Sequence, residues 1–330
     1  MTGRLSEDDL IATMFAPIAG PGALGLKDDV ACFTPPAGYD LVVTADAVVA
    51  GVHFLHDDPP ETIARKALRV NVSDLAAKGA DPLGFVMTVA FPAGVQTEWI
   101  AAFAAALGDD AARWSCPLLG GDTVRTPGPL SISITALGCV PKGMLVTRTG
   151  ARPGDLIYVT GFIGDAALGL QVRLREAAWI DRLSDASHDF LLGRFLHPQP
   201  RLAMNHAVRE HASAAMDVSD GLVGDLTKLI RVSGVGARIE LSRLPLSDAV
   251  RAALRLDPAL FDMAVTGGDD YEILCTVPPL HAIAFEAAAR TAGVAVARIG
   301  QVNEYTQTGA LFLDANGARR TFARSSYSHF

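Results

Sequence analysis

Apolar runs in this chain end repeatedly on aspartate. Asp28-Asp29, Asp46, Asp74, Gly120-Gly121-Asp122, Asp217, Asp220 and Gly268-Asp269-Asp270 all stand at expected strand or helix ends or in glycine turns. A single Asp at such a place is a turn former or a helix cap. A whole set in apolar surroundings restricts the fold further, because a buried carboxylate needs a cation or strong donors. Two carboxylates ~5 Å apart repel by roughly 3 kcal/mol at an effective dielectric near 20. If the acidic ends converge, they must protonate or bind cations.

Two placements carry the most weight. In 40–46 (DLVVTAD), the two-residue period of a strand puts Val42, Thr44 and Asp46 on one face, so Thr44 and Asp46 point the same way. In the helix expected over 59–78, Ile63, Ala67, Val70, Asp74 and Ala77 follow helical spacing. Asp74 thus continues an apolar stripe, or else this end of the helix reaches solvent. Oxygen-only ligands suit Mg²⁺ or Mn²⁺ better than zinc. Magnesium binds through one or two carboxylates plus substrate phosphates, so the pattern suggests phosphate chemistry.

Composition narrows the class. At 330 residues the chain exceeds what one core usually serves, so two domains are expected. The net charge of −8 argues against a broad nucleic-acid or anionic-membrane surface. The mean hydropathy of +0.28 comes largely from alanine. The uncharged runs 82–97 and 126–141 fall short of a membrane span of ~20 residues and hold prolines and glycines. The polar start, MTGRLSEDDL, has no apolar signal core, and Cys32, Cys116, Cys139 and Cys275 form no CxxC pair. A cytoplasmic protein with reduced core cysteines is expected.

The first half reads as mixed α and β. Helices are expected over 5–18, 59–78 and 98–114, and strands over 40–46, 83–90 and 130–140. Gly, Pro and Arg cluster in 146–154, which places a boundary there, with domains 1–148 and 149–330. A second α/β unit follows, with strands over 155–160, 214–218 and 271–277, the first two each leading through a glycine turn into a helix.

Familiar phosphate motifs are missing. There is no GxxxxGK[ST] and no HRD or DFG set, so neither a P-loop nor a protein-kinase fold is indicated. Gly161-x-x-Gly164 could bring backbone N–H groups to a phosphate at a helix start, or could simply make a tight turn. His53, just after the Thr44/Asp46 strand, reads as a ligand contact rather than a base. Arg148 could pair with a phosphate or be a solvated linker residue.

The ordered motifs resemble the thiamine-monophosphate kinase family, whose fold is shared with aminoimidazole ribonucleotide synthetase. They are Lys27-Asp28-Asp29 with Ala31, Thr44-Ala45-Asp46, GVHF (51–54), VNVSDLAAKGADP (70–82) and GGDT (120–123). RTGA (148–151), QPR (199–201), DVSDGL (217–222), GGDDYEIL (267–274) and YSHF (327–330) follow. The resemblance implies ATP-dependent phosphorylation of thiamine monophosphate to thiamine diphosphate by direct in-line transfer with several Mg²⁺ ions. It implies metal ligands at Asp29, Thr44, the backbone of Ala45, Asp46, Asp74, Asp122 and Asp217, with Asp220 as a further one. Gly121, Asp122, Arg148 and Ser219 would contact ATP, and His53, Asp269 and Tyr327 the substrate. No general base is assigned, because a phosphate-monoester oxygen is already ionised near neutral pH; Arg148 would support charge neutralisation.

The implied fold is α/β (α+β) in two domains. The N-terminal one would carry metal and ATP ligands and give its sheet to a barrel shared across a homodimer. The C-terminal one would complete the active site. Two positions depart from the family pattern. Asp269 stands where the family commonly has Glu, one methylene longer. At 103–104 the chain reads Phe-Ala where the family tends to place an adenine-contacting Tyr, so the nucleobase contact is unassigned. The competing expectations are another ATP-using synthetase of the superfamily, or a non-catalytic Mg²⁺- and nucleotide-binding regulator. GVHF and YSHF favour thiamine monophosphate over the ribonucleotide. The absence of a reactive Cys near the N-terminus and of a Cys-ending tail disfavours the selenophosphate and hydrogenase-maturation branches.

Overall fold

The computed structural model describes residues 6–304, 309–324 and 326. The chain divides into two compact units, Met1–Leu75 with Ala80–Gly143, and Ala76–Gly79 with Met144–Phe330. The first unit begins with α1 (Glu7–Leu10), which π and 3-10 turns continue to Ile18. Its sheet holds β1 (Tyr39–Val49), β2 (Asp81–Pro92), β3 (Leu118–Thr126) and β4 (Ser131–Pro141), in the order β1-β4-β2-β3. β4 pairs antiparallel with β1 and β2, whereas β2 and β3 are parallel. A parallel pair needs a crossover, and α3 (Thr97–Arg113) supplies it. The other helix, α2 (Pro60–Ala77), ends on Gly79, whose φ of +69 suits a residue without Cβ.

Strand alternation decides which face is buried. Phe85, Met87 and Val89 of β2 stand beside Ala136, Ile134 and Ile132 of β4, and all are buried. Leu68, Val72 and Leu75 of α2 and Phe103 and Leu107 of α3 are buried too. Full burial of one such side chain contributes ~1.5–3 kcal/mol. The other face of β1 has no such cover: Tyr39, Leu41 and Val43 are 41%, 47% and 59% exposed.

The Gly120-Gly121-Asp122 run, expected as a turn, lies inside β3. Glycine is required there by contact. A Cβ on Gly121 would lie 1.8 Å from the Met87 carbonyl oxygen of the adjoining strand. Cys32, expected in the core, is exposed, whereas Cys116, Cys139 and Cys275 are buried.

In the second unit β5 (Leu156–Thr160), β6 (Ala214–Val218), β7 (Gly236–Glu240), β8 (Glu272–Val277), β9 (Val296–Asn303), β10 (Ala310–Leu313) and β11 (Arg319–Arg320) form one sheet. Its order is β11-β10-β7-β9-β5-β8-β6, parallel only between β10 and β7. The helices are α4 (Asp165–Leu174), α5 (Asp185–Leu196), α6 (Asn205–His211), α7 (Leu222–Ser233), α8 (Asp248–Leu256), α9 (Leu260–Thr266) and α10 (Ala282–Thr291). Leu226 and Leu229 of α7 cluster with Ile157, Val159 and Met216 on one side of the sheet. Phe285 of α10 and Val208 of α6 cluster with Tyr158 and Ile273 on the other. Burial on both faces explains why β5, β6 and β8 are mostly apolar without alternation, with Asp217, Glu272 and Thr276 among the buried exceptions. Among the described residues, no helix is long and apolar enough to cross a membrane.

Candidate active site

In the first unit, two hydrogen bonds join β1 to α2. Thr44 Oγ1 donates to Asp74 Oδ2 at 2.5 Å, and Asp46 N donates to Asn71 Oδ1 at 3.1 Å. The strand face that carries Thr44 thus meets the helical stripe that carries Asp74, and Asp74 is half-buried. The adjoining Gly51 turn (φ +80) places His53. His53 Nδ1 accepts from Val49 N at 3.1 Å, so a neutral ring carries its proton on Nε2. The buried Lys66 ammonium donates to the His53 carbonyl at 2.8 Å, which fixes the turn from the α2 side.

Asp29 and Asp122 line one cavity of about 340 Å³, together with Asp28, Gly120, Gly121 and Glu7. The loop leading to Asp29 carries Leu24 and Leu26 at φ +53 and +55, in the left-handed region that penalises a Cβ. A second cavity of about 480 Å³ shares Glu7 and Thr123 with the first and has Leu10, Phe91, Ile100 and Val124 in its wall. Thr123 Oγ1 donates to Glu7 Oε1 at 3.1 Å where the two adjoin.

In the second unit, two loops interlock. Asp269 N donates to Ser219 O and Tyr271 N to Val218 O, each at 2.9 Å. A Cβ on Gly268 would lie 2.2 Å from Ser219 O, so only glycine permits this contact. Ser219 and Asp269 are thereby neighbours, at the end of the strand that carries the buried Asp217. Asp225 shapes the turn by accepting from Ser219 N and Asp220 N at 3.1 and 2.9 Å. Asp220 is already paired, since Lys228 Nζ donates to its Oδ2 at 2.5 Å and to Asp225 Oδ1 at 3.0 Å. Burial pushes the Asp225 carboxyl up against the opposing pull of Lys228.

Arg148 is not brought to these loops by its backbone. Thr147 O accepts from Ala215 N at the start of β6, and Arg148 O accepts from Ser233 Oγ at the end of α7. Ser219 and Asp220 lie at the opposite ends of those elements. Tyr327 lies outside the described residues.

The side chains that the family motifs mark in this unit, Asp29, Thr44, Asp46, Asp74 and Asp122, offer oxygen only, a set that suits Mg²⁺ better than zinc. Among the described residues, no three His, Cys, Asp or Glu side chains gather into a ready-made cage.

Comparison with known proteins decides the family. Residues 27–140 match the AIR synthase related protein N-terminal domain, and 152–310 match its C-terminal domain. Thiamine-monophosphate kinase of Caulobacter vibrioides is 44% identical over 91% of this chain and 84% of that protein. The Escherichia coli K12 enzyme is 41% identical over 93% and 92%. The chain belongs to the thiamine-monophosphate kinase family. The solved thiamine-monophosphate kinase of Stenotrophomonas maltophilia superposes with a TM-score of 0.80 at 36% identity, covering 89% of this chain and 91% of that one. AaThiL complexed with AMPPCP and TMP covers 100% of both chains, with a TM-score of 0.78 at 27% identity.

In this member of the family, the Gly161-x-x-Gly164 helix start is occupied from within. Gly164 N and Ala166 N donate to the two oxygens of the fully buried Asp270, at 2.7 and 3.1 Å. The structure thus resolves the alternatives for this motif in favour of the tight turn. A Cβ on Gly161 (φ +53) would collide with the Glu272 carboxylate. Glu272 is fully buried and accepts from Arg194 Nη2 at 3.0 Å, Thr160 Oγ1 at 2.7 Å, and Arg201 Nε and Nη2 at 2.6 and 2.5 Å. Asp165 Oδ1 accepts from Ser247 Oγ at 2.5 Å. Its Oδ2 faces Arg194 Nε at 3.7 Å, and neither atom has a hydrogen-bond partner among the described residues. Sequence reasoning missed this cluster; the only trace was an Arg in QPR and acids within GGDDYE. Phe103, in the segment where the family tends to place its adenine-contacting Tyr, is fully buried and stacks on Trp99 with ring centroids 5.5 Å apart. It has no surface to offer a nucleobase.

Proposed function

We propose that this chain phosphorylates thiamine monophosphate at the expense of ATP, giving thiamine diphosphate and ADP by direct in-line transfer. The observation that carries the reading is the match over the whole of both chains to AaThiL, which was complexed with AMPPCP and TMP. The acidic residues that the family motifs mark are present here in order.

Both reactants are anions, so the barrier is mainly charge repulsion and alignment. Several Mg²⁺ ions, when bound, supply the neutralising charge. Asp29, Thr44, the Ala45 backbone, Asp46, Asp74, Asp122, Asp217 and Asp220 would hold them. Thr44 and Asp74 share a 2.5 Å hydrogen bond, so their oxygens are oriented in advance. Gly121, Asp122 and Ser219 would hold ATP, and Arg148, whose backbone lies at the far end of β6 from Ser219, would add charge to the phosphates only through the reach of its side chain. His53, Asp269 and Tyr327 would hold thiamine monophosphate, His53 through its Nε2–H. The paired cavities suit an elongated ligand, phosphates beside Asp29 and Asp122 and the base against Ile100 and Val124. The acceptor phosphate is already ionised, and no residue need act as a base.

The apolar exposed face of β1 supports a homodimer that covers it. A cytoplasmic location is part of this reading. The deciding experiment is a ³¹P NMR time course with the purified protein, ATP, Mg²⁺ and thiamine monophosphate. Matched growth of ADP and thiamine diphosphate signals, absent without Mg²⁺, is expected. Intact ATP, or its conversion to free phosphate alone, would overturn the assignment.

A further inference from the structure

Asp269 sits in a backbone conformation that something else must enforce. Its φ is +74, and Tyr271 follows at +50. Asp tolerates that region better than most residues, but a bulky Tyr there is a genuine outlier, and the two flank a single residue. That residue, Asp270, is fully buried, and its carboxylate caps α4 through Gly164 N and Ala166 N. Arg194 Nη2 donates to the Asp270 carbonyl at 3.4 Å while holding Glu272 on the other side of Tyr271 at 3.0 Å. The Tyr271 hydroxyl in turn donates to Asp269 Oδ1 at 3.4 Å.

We propose that Asp270 is a positioning residue for the reaction: by clamping the loop to the α4 N-terminus, it aims the Asp269 carboxylate at thiamine monophosphate. This rests on the reading of Asp269 as a substrate contact. Asp270 itself is sealed from ligand and metal, so its action passes through its neighbour. The short side chain at position 269 makes backbone placement matter more. An Asp has fewer rotamers than a Glu with which to absorb a shifted loop, so a displaced backbone is felt directly as weaker binding.

The test is a kinetic double-mutant cycle with Asp269→Ala, Asp270→Asn and the pair, at saturating ATP and Mg²⁺. Asn keeps the volume and one acceptor of Asp270 but loses the second acceptor. Asp270→Asn is expected to raise KM for thiamine monophosphate about tenfold, with kcat changed by less than about threefold. In the Asp269→Ala background it should add nothing further, whereas general loosening of the fold would act in both backgrounds. An unchanged KM in folded Asp270→Asn, alongside a normal loss in Asp269→Ala, would overturn the clamp alone. An equal KM rise in both backgrounds would do the same. An unchanged KM in Asp269→Ala would overturn the substrate-contact reading, and the clamp with it. If Asp270→Asn does not fold, Arg194→Lys serves in the same cycle, since it keeps the charge but shortens the reach to the Asp270 carbonyl.

Discussion

Asp165 offers a quantitative check on the buried charge cluster of the second unit. Burial pushes its carboxyl from an ordinary 3.8 up to about 6, against the opposing help of Ser247 and Arg194. Glu272 pushes the same way as burial, and Arg201 pulls with Arg194. Asp270 lies close by, with its own carboxyl held up chiefly by burial. The folded chain therefore keeps a proton on Asp165 where the unfolded chain has lost it. Its contribution is full below 3.8 and falls as pH rises through the window from there to about 6. Above that window the ionised form costs about 3 kcal/mol relative to a neutral side chain. Asp165→Asn cannot titrate and keeps the acceptor for Ser247. Variant-minus-parent stability should thus rise by about 2 kcal/mol between about pH 4.5 and pH 8. In a unit of this size that is about 4–8 °C in Tm. Paired thermal melts across this range measure it, and constant offsets from altered hydrogen bonds cancel. A difference that stays flat with pH, or narrows as pH rises, would refute the reasoning.

Three further outcomes are expected. Asp74→Asn and Asp122→Asn should each lower kcat on the order of 10²-fold or more while circular dichroism is unchanged; near-normal rates in both would sink the multi-metal reading. Asp110→Ala removes the carboxylate that the buried Arg69 guanidinium meets at 2.5 and 2.9 Å. It should cost ~3–5 kcal/mol in denaturant unfolding, and a loss near zero would show that the pair is not buried in solution. Val43→Arg on the exposed face of β1 should halve the mass seen in sedimentation; a parent that already runs as a monomer would end the dimer proposal.

Periodicity made much of this architecture readable. Thr44, Asp46 and Asp74 could be placed because strand and helix periods each fix a face, and the Thr44–Asp74 hydrogen bond joins those faces. β3 escaped because glycine carries no pattern: its requirement at 121 comes from Met87 on another strand. The Asp270 clamp escaped for a similar reason, since Gly164 lies 106 residues away and one Asp in a glycine turn looks like any other. The nucleobase contact stayed unassigned because Phe103 stands where the family tends to place its Tyr, and the ring proves to be core. Cys32 has apolar neighbours in sequence, yet it sits in a loop where they impose no burial.

That exposed thiol has a practical side. Burial pushes the Cys116 and Cys275 thiols up to about 12, and Cys139 is buried with them. Thiol reagents act through the thiolate on accessible sulfur, so a maleimide dye meets one target in the folded chain. Cys32 adjoins Ala31, which lines the cavity shared by Asp29 and Asp122. The unaltered sequence therefore carries its own attachment point for a fluorophore beside that cavity. A single dye adduct by mass spectrometry, followed by an emission change on adding nucleotide, would turn ligand binding into an optical titration without cysteine engineering.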